Sequence, residues 1–397
     1  MSGDVLTQRR KSTEIGVVTQ ARLGDVCRID TSISFPCEEE IWLLNLDMIE
    51  QQTGRVIQRI YVDRNALGGS TVAFDEHCVL YSKLRPNLNK VVLPDRKGVA
   101  TSEILPLRCN ADHVTREFVC WFLRSPTFVS YAMNRTAGAK MPRLGTKELL
   151  NAKIPLPPLA DQRRIATKLD RLCDIVTKRK QQLVQLQQLV KSRFVEMFGD
   201  VVANDKDWSV AKFGDVTDSR LGKMLDAKQQ TGRNKHKYLA NFNVQWFRID
   251  DSKLHEMDFD KADQIEFELK DGDLLVCEGG ESGRCCVWHG QVKDCYYQKA
   301  LHRVRCNPNK LNPDFLAYWF WMNCHYGAFE HVIGAKATIG HLPGVKLKKL
   351  DVILPPLALQ REFAAFVAKV DKLAFAVRKS LESAEKLYRQ QLSEAFA

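Results

Sequence analysis

No stretch of this chain is apolar for the ~18 residues that a membrane span requires. Its first twenty residues hold Arg9, Arg10, Lys11 and Glu14 and lack the apolar segment of a secretory signal. Both absences point to a cytoplasmic protein with no membrane partner. None of the 12 cysteines forms a C-x-x-C pair, which removes support for a zinc ribbon or a thioredoxin-like redox site. Most of these thiols lie in apolar runs, where a reduced cysteine behaves as a small hydrophobe. The run from Cys277 to Cys295 with His289 is the one metal candidate, and core packing is the better reading of it, so no metal site is expected. Catalytic signatures are missing too. There is no G-x-x-x-x-G-K-[ST] phosphate loop. The Pro-Pro dipeptides lack the Asn or Asp before and the Tyr or Phe after that an amino-methyltransferase carries. No Glu-x-Lys follows close behind Pro94-Asp95, and Gly279-Gly280 with Gly283 reads as a tight turn. No catalytic residue is assigned. The chain reads as a binding protein.

What is present is charge and repetition. The formal net charge is +11 over 397 residues, a surplus that favours polyanionic partners through phosphate neutralisation. Leu156-Pro157-Pro158-Leu159-Ala160-Asp161-Gln162-Arg163 returns as Leu354-Pro355-Pro356-Leu357-Ala358-Leu359-Gln360-Arg361, with seven of eight positions identical. Other segments recur in the same order. Ala21–Val26 matches Ala211–Val216, Trp42–Asp47 matches Tyr238–Asn243, Arg108-Cys109-Asn110 matches Arg305-Cys306-Asn307, and Gly138-Ala139-Lys140 matches Gly334-Ala335-Lys336. A period near 200 residues means a duplicated domain rather than a solenoid. Each copy mixes short β-type runs, such as Cys78–Tyr81 and Asp273–Cys277, with a helix near Arg116–Leu123 or Phe315–Asn323. Trp42 and Trp208 are read as core residues.

Each Pro-Pro junction ends a domain and opens a helix, because the residue before proline avoids the α region. After the first, Leu169, Leu172, Val176, Leu183, Leu186 and Val190 recur at steps of three, four and seven; after the second, Val370, Leu373, Val377, Leu381, Ala384 and Leu387 recur at steps of three and four. An isolated helix with one apolar stripe gains stability only by burying it, so the two stripes are each other's expected partners. About 38 residues at ~1.5 Å each make a rod of ~57 Å. The second helix reads as three residues longer before Lys369–Leu373 matches Lys168–Leu172, an insertion that would perturb the heptad locally. The fold class is α+β: two similar mixed α/β domains separated by two long antiparallel helices forming a coiled-coil stalk, with pseudo-twofold symmetry. The divisions fall at 1–155, 156–200, 201–353 and 354–397.

Residues suited to nucleic acid stand in the polar loops. They are Lys83, Arg85, Asn87, Asn89, Lys140 and Arg143 in the first domain, and Arg233, Lys235, Arg284, Lys336 and His341 in the second. Arginine suits bidentate contact with guanine, asparagine suits adenine, and lysine suits phosphate.

The order of domain, Leu-Pro-Pro-Leu-x-x-Gln-Arg, long helix, repeated once, resembles the specificity subunit of type I restriction–modification enzymes. Tyr81–Asn87, Cys277–Arg284, and Phe198-Gly199-Asp200 followed by Trp208 carry the resemblance further, over essentially the whole chain. It implies a non-catalytic reader of duplex DNA. Each target-recognition domain would bind one half of a split, asymmetric site, and the helices would set the gap and dock two methyltransferase (modification) subunits. S-adenosylmethionine would be held by those partners, ATP and Mg by a restriction (translocase) subunit, and no cofactor by this chain. The other readings open at this stage are an adaptor that binds proteins and a self-contained methyltransferase with an unrecognised site.

Overall fold

The computed structural model describes residues 19–138, 140–226, 230–329 and 341–397. Lys336, one of the candidate contacts, lies outside them. The chain divides into two compact units, the first running to Gln181 and adding Arg378–Ala397, the second spanning Gln182–Val377. Each unit holds one α/β domain and a segment of both long helices, Leu159–Phe198 and Leu357–Ala395.

The two domains share strand order. In the first unit a four-stranded antiparallel sheet runs Cys27–Ile29, Ile104–Cys109, Cys78–Ser82, Val91–Val92; in the second it runs Thr217–Leu221, Leu301–Cys306, Leu274–Cys277, Cys285–Val287. A second sheet also recurs. Glu40–Leu44 lies parallel to Gly98–Thr101 and antiparallel to Ile60–Asp63, as Lys235–Leu239 does to Cys295–Tyr297 and His255–Asp258. Among the described residues, Thr71–Phe74 adds a fourth strand only in the first unit; in the second the helix Lys261–Glu266 follows His255–Asp258. The first sheet's inner face packs on an aromatic helix, Arg116–Arg124 or Pro313–His325. Trp42 is buried edge-on against Phe74, and Trp208 is half-buried with its indole N–H donating to the Phe198 carbonyl at 2.9 Å.

The repeated motifs are structural. Arg108 pairs with Asp75 at 2.7 Å and Arg305 with Asp273 at 2.8 Å, and the amides of Asn110 and Asn307 both donate at 2.8 Å to the residue closing the short first helix, Val26 or Val216. Gln162 and Gln360 are fully buried and make the same three bonds. Gln162 accepts from the Thr115 amide and donates to the His113 and Pro157 carbonyls, each at 2.9 Å. Gln360 accepts from the Asn312 amide at 2.8 Å and donates to the Lys310 and Pro355 carbonyls at 3.1 and 2.8 Å.

Inside each unit the long helices run antiparallel. In the first, Lys180 pairs with Glu385 at 2.9 Å and Lys168 bonds Gln391; in the second, Arg193 pairs with Glu362 at 2.9 Å. The first helix buries its expected seam, fully at Leu169, Leu172 and Val190 and partly at Val176, Leu183 and Leu186. In the second helix Val370 is buried, and Val377 and Leu381 are half-buried. Leu373 and Leu387 are not in the seam: they are 59% and 44% exposed. Their places go to Ala374 and Tyr388, which continue the alternation Phe363, Val367, Val370, Ala374, Val377, Leu381, Ala384, Tyr388, Leu392. Counted from the buried glutamine, Leu169 and Val367 both stand at +7, Leu172 and Val370 at +10, and Leu183 and Leu381 at +21. The expected three-residue insertion is therefore absent. Matching Lys369–Leu373 to Lys168–Leu172 aligns similar letters that face different ways.

Phe363→Ala, which empties a site ringed by Phe194, Phe198 and Tyr318, is expected to cost about 3–5 kcal/mol. Leu373→Lys should stay within about 0.5 kcal/mol of the parent. Denaturant midpoints of the two variants check the assignment, and comparable losses would overturn it.

Candidate nucleic-acid interface

The buried strand Cys78–Ser82 in the first unit delivers the chain to a rigid edge. At Lys83 the main chain is held on both sides, its amide donating to Glu103 at 3.0 Å and its carbonyl accepting from Leu144 at 2.9 Å. Arg85 follows with φ of 49°, a left-handed conformation uncommon outside glycine, and its amide donates to the Pro142 carbonyl at 2.7 Å. These bonds lock the turn Pro86–Leu88 against the hairpin formed by Thr136–Ala137 and Arg143–Leu144. Five candidates are thus brought together on two adjoining loops: Lys83, Arg85 and Asn87 on one, Lys140 and Arg143 on the other. Arg85, Asn87, Lys140 and Arg143 are exposed, and Arg143 is paired with Glu103 at 3.2 Å.

Asn89 is not on this surface. It is 8% exposed and its side-chain amide donates to the Arg124 carbonyl at 2.9 Å, stopping the aromatic helix. Sequence alone cannot separate an asparagine that caps from one that reads.

A third loop completes the edge. Ile49 and Val56 bridge a hairpin whose tip is Gln51-Gln52-Thr53-Gly54. The Gln52 amide donates to Leu88 at 3.0 Å and its side-chain nitrogen to the Asn87 carbonyl at 2.9 Å. Gly54 has φ of 65°, and a Cβ there would sit 1.7 Å from the Val91 carbonyl oxygen, so only glycine lets this loop lie so close. Between the loops opens a cleft of about 700 Å³ lined by Asp47, Glu50, Gln51, Arg85, Lys90 and Met141. Burial holds the Lys90 ammonium below the ordinary lysine range. This hairpin leaves no mark among the basic loops of the sequence because its tip carries amides rather than charge.

The second unit puts Glu278–Gly283 where the first has Lys83–Asn89, directly after the matching strand. Arg284 belongs to the core of that loop: its side chain is 15% exposed, donates to the Asn241 carbonyl at 2.9 Å and pairs with Glu281 at 3.1 Å. It is a brace, not a contact. His341 bridges to Gly279, and its exposed ring lies 3.7 Å from the buried Glu278 carboxylate. Behind them the His302 Nε2–H donates to the Leu342 carbonyl, 3.0 Å away, and burial lowers the ring's pKa. Arg233 and Lys235 are exposed at another loop, folded around the Asp258 carboxylate, which accepts from the Gly232 amide at 2.6 Å and the Asn234 amide at 3.1 Å. No hydrogen bond among the described residues joins that loop to His341. Nor do any three His, Cys, Asp or Glu side chains among them form a metal-holding group; Cys285 packs on the Ala317 carbonyl and His289 pairs with Asp271 on the surface. No helix among the described residues is long and apolar enough to cross a membrane.

Two segments of the chain, 19–188 and 205–384, match the family described as the type I restriction modification DNA specificity domain. The sequence is 24% identical over 412 residues to the EcoKI specificity subunit of Escherichia coli strain K12, covering 97% of this chain and 87% of that protein. It is 23% identical over 195 residues to the putative MjaX specificity subunit of Methanocaldococcus jannaschii, covering 48% and 46%. In fold it is similar to the S subunit of a type I restriction–modification system from M. genitalium, with a TM-score of 0.63 at 11% identity over 98% of both chains. A chain from a study of type I R-M complex assembly gives 0.54 at 18% identity, over 96% of this chain and 97% of that one.

Proposed function

The chain belongs to the family of type I restriction modification DNA specificity domains, whose specificity subunits are non-catalytic, and from that premise we propose that each unit reads one half of a bipartite, asymmetric site in duplex DNA. The observation that carries this reading is that the two units share strand order while their edge loops differ in chemistry. One edge offers Lys83, Arg85, Asn87, Lys140 and Arg143; the other offers His341 beside Glu278, with Arg233 and Lys235 exposed on a separate loop. A common frame with unlike edges is what recognition of two different half-sites demands.

The long helices dock two methyltransferase subunits and set the half-site spacing in this reading. Exposed apolar side chains on them support docking: Ile175, Val184, Leu189, Val195, Leu373 and Leu387 are each between 42% and 65% exposed. S-adenosylmethionine belongs to the methyltransferase partners, ATP and Mg to a restriction subunit, and the assembly works in the cytoplasm.

The test is binding of the full chain to duplexes carrying the site methylated in its host. Affinity is expected to fall steeply with salt. Lys83→Ala with Arg85→Ala should lower the slope of log K against log salt by up to about 1.8, roughly 0.9 for each phosphate no longer neutralised. A wild-type affinity indifferent to salt would instead support a protein adaptor. Saturable S-adenosylmethionine binding by the chain alone would support an enzyme.

A further inference from the structure

The hairpin Ile49–Val56 and its counterpart Val244–Ile249 occupy the same place in the two units, after the matching strands Glu40–Leu44 and Lys235–Leu239. Both carry a non-glycine residue in the left-handed region at the tip: Gln52 at φ 66° and Phe247 at φ 59°. Such a conformation is sparsely populated outside glycine, and it persists where surrounding contacts impose it. The imposing contacts differ. Phe247 stacks on Tyr318 with ring centres 4.0 Å apart, and the neighbouring Trp246 donates its indole N–H to Glu281 at 2.6 Å. That tip is folded onto its own unit. Gln52 is exposed, and no core contact calls for its long side chain.

The Gln52 amide is nonetheless aimed. Its main-chain N–H is fixed to Leu88, and one of its two side-chain N–H groups donates to the Asn87 carbonyl at 2.9 Å. The hairpin beneath it is braced by Glu50, which accepts from the Thr53 hydroxyl at 2.6 Å and pairs with Arg55 at 3.3 Å. A primary amide has two donors and a carbonyl acceptor. With one donor committed to Asn87, one N–H and the carbonyl oxygen remain. That donor–acceptor pair complements the N7 acceptor and N6 amino group of adenine in the major groove.

We propose that Gln52 is a specificity-determining residue, reading one adenine in the half-site bound by the first unit. This rests on the reading of the chain as a two-part DNA reader and adds a residue, a base and an edge. Holding the amide by Asn87 before DNA arrives reduces the entropy that an exposed glutamine otherwise loses on binding. The second unit, whose equivalent tip is tied to its own core, reads its half-site without this hairpin.

Duplexes bearing the site methylated in the host, with each adenine of the first unit's half-site replaced singly by 7-deazaadenine, test it on the full chain. Wild type should lose roughly tenfold in affinity at one position, the worth of one hydrogen bond to N7. Gln52→Ala should bind the natural duplex roughly 5- to 100-fold more weakly and be indifferent to the replacement there, with base preference in the other half-site unchanged. Gln52→Glu keeps the shape but loses the donor, and should give up the adenine preference at the same position. Retention by both variants of full sensitivity at every adenine overturns the proposal. So does an equal loss on all sequences, which would mark a phosphate contact or a loop brace. A wild-type chain with no sequence preference would defeat the two-part reading itself, whereas failure of the Gln52 variants alone leaves that reading intact.

Discussion

Gln162→Ala and Gln360→Ala are expected to destabilise their own units by roughly 2–5 kcal/mol each, far more than replacement of the neighbouring Arg163 or Arg361. Each glutamine is fully buried and satisfies one amide and two carbonyls. Alanine leaves three backbone groups without partners, and a buried polar group left unpaired costs about 1–3 kcal/mol. The bonds join three things at once: the Pro-Pro junction, the first turn of a long helix, and the loop that starts the aromatic helix. Gln162→Glu should be at least as damaging, since a carboxylate cannot donate to the His113 and Pro157 carbonyls and sets negative charge against them. Denaturant unfolding gives the totals. Amide exchange localises them, with Thr115 or Asn312 losing protection first. A loss below ~0.5 kcal/mol, the ordinary range of a surface substitution, would mean that water replaces the clamp, and that the repeated glutamine has another reason to be there.

This clamp explains why the Leu-Pro-Pro-Leu motif announces the fold in the sequence so plainly. Its partners are main-chain atoms, so two domains with unlike side chains present the same target, and selection for the bond leaves the same letters twice. Arg108–Asp75 and Arg305–Asp273 leave a similar trace. The helical seam is less legible, because small and polar-tipped residues hold some of its places. Ala374 and Tyr388 face inward while Leu373 and Leu387 face out, an inversion no hydrophobicity pattern reveals. At the edge the sequence locates the loops and not the direction of every side chain. Asn89 and Arg284 look like contacts by type, yet one caps a helix and the other braces Asn241. The Gln51-Gln52 tip is hidden for the opposite reason: it has no charge, and its place beside Asn87 is created by tertiary pairing of segments 35 residues apart.

Exchanging residues 23–152 for the corresponding segment of another specificity subunit is expected to replace one half of the recognised site and leave the other half as it was. The first unit is self-contained in the relevant sense: the candidate contact loops 49–56, 83–90 and 136–144 bond one another and sit on one pair of sheets. The cut points fall at the bond from the Leu23 amide to the Ala152 carbonyl, 2.8 Å, which leaves the strand pair Thr19–Arg22 and Lys153–Leu156 with the recipient. Gln162 accepts any incoming loop whose backbone follows the same path. What the donor must match is the side-chain face toward the helices. Trp121 donates to Asp170 at 2.9 Å, and Phe118 and Phe122 pack on Phe396 at 5.0 and 5.9 Å between ring centres. A donor lacking an aromatic at the Phe118 position would open a cavity costing about 3–5 kcal/mol and needs that residue restored. Sequencing of methylated sites from hosts carrying parent and exchange measures the outcome. Each altered base pair within the replaced half should be discriminated by about 1–3 kcal/mol and positions in the other half by nothing measurable. A change in both halves would show that the two units read the site jointly, and the equivalence of their folds would then no longer imply independent recognition.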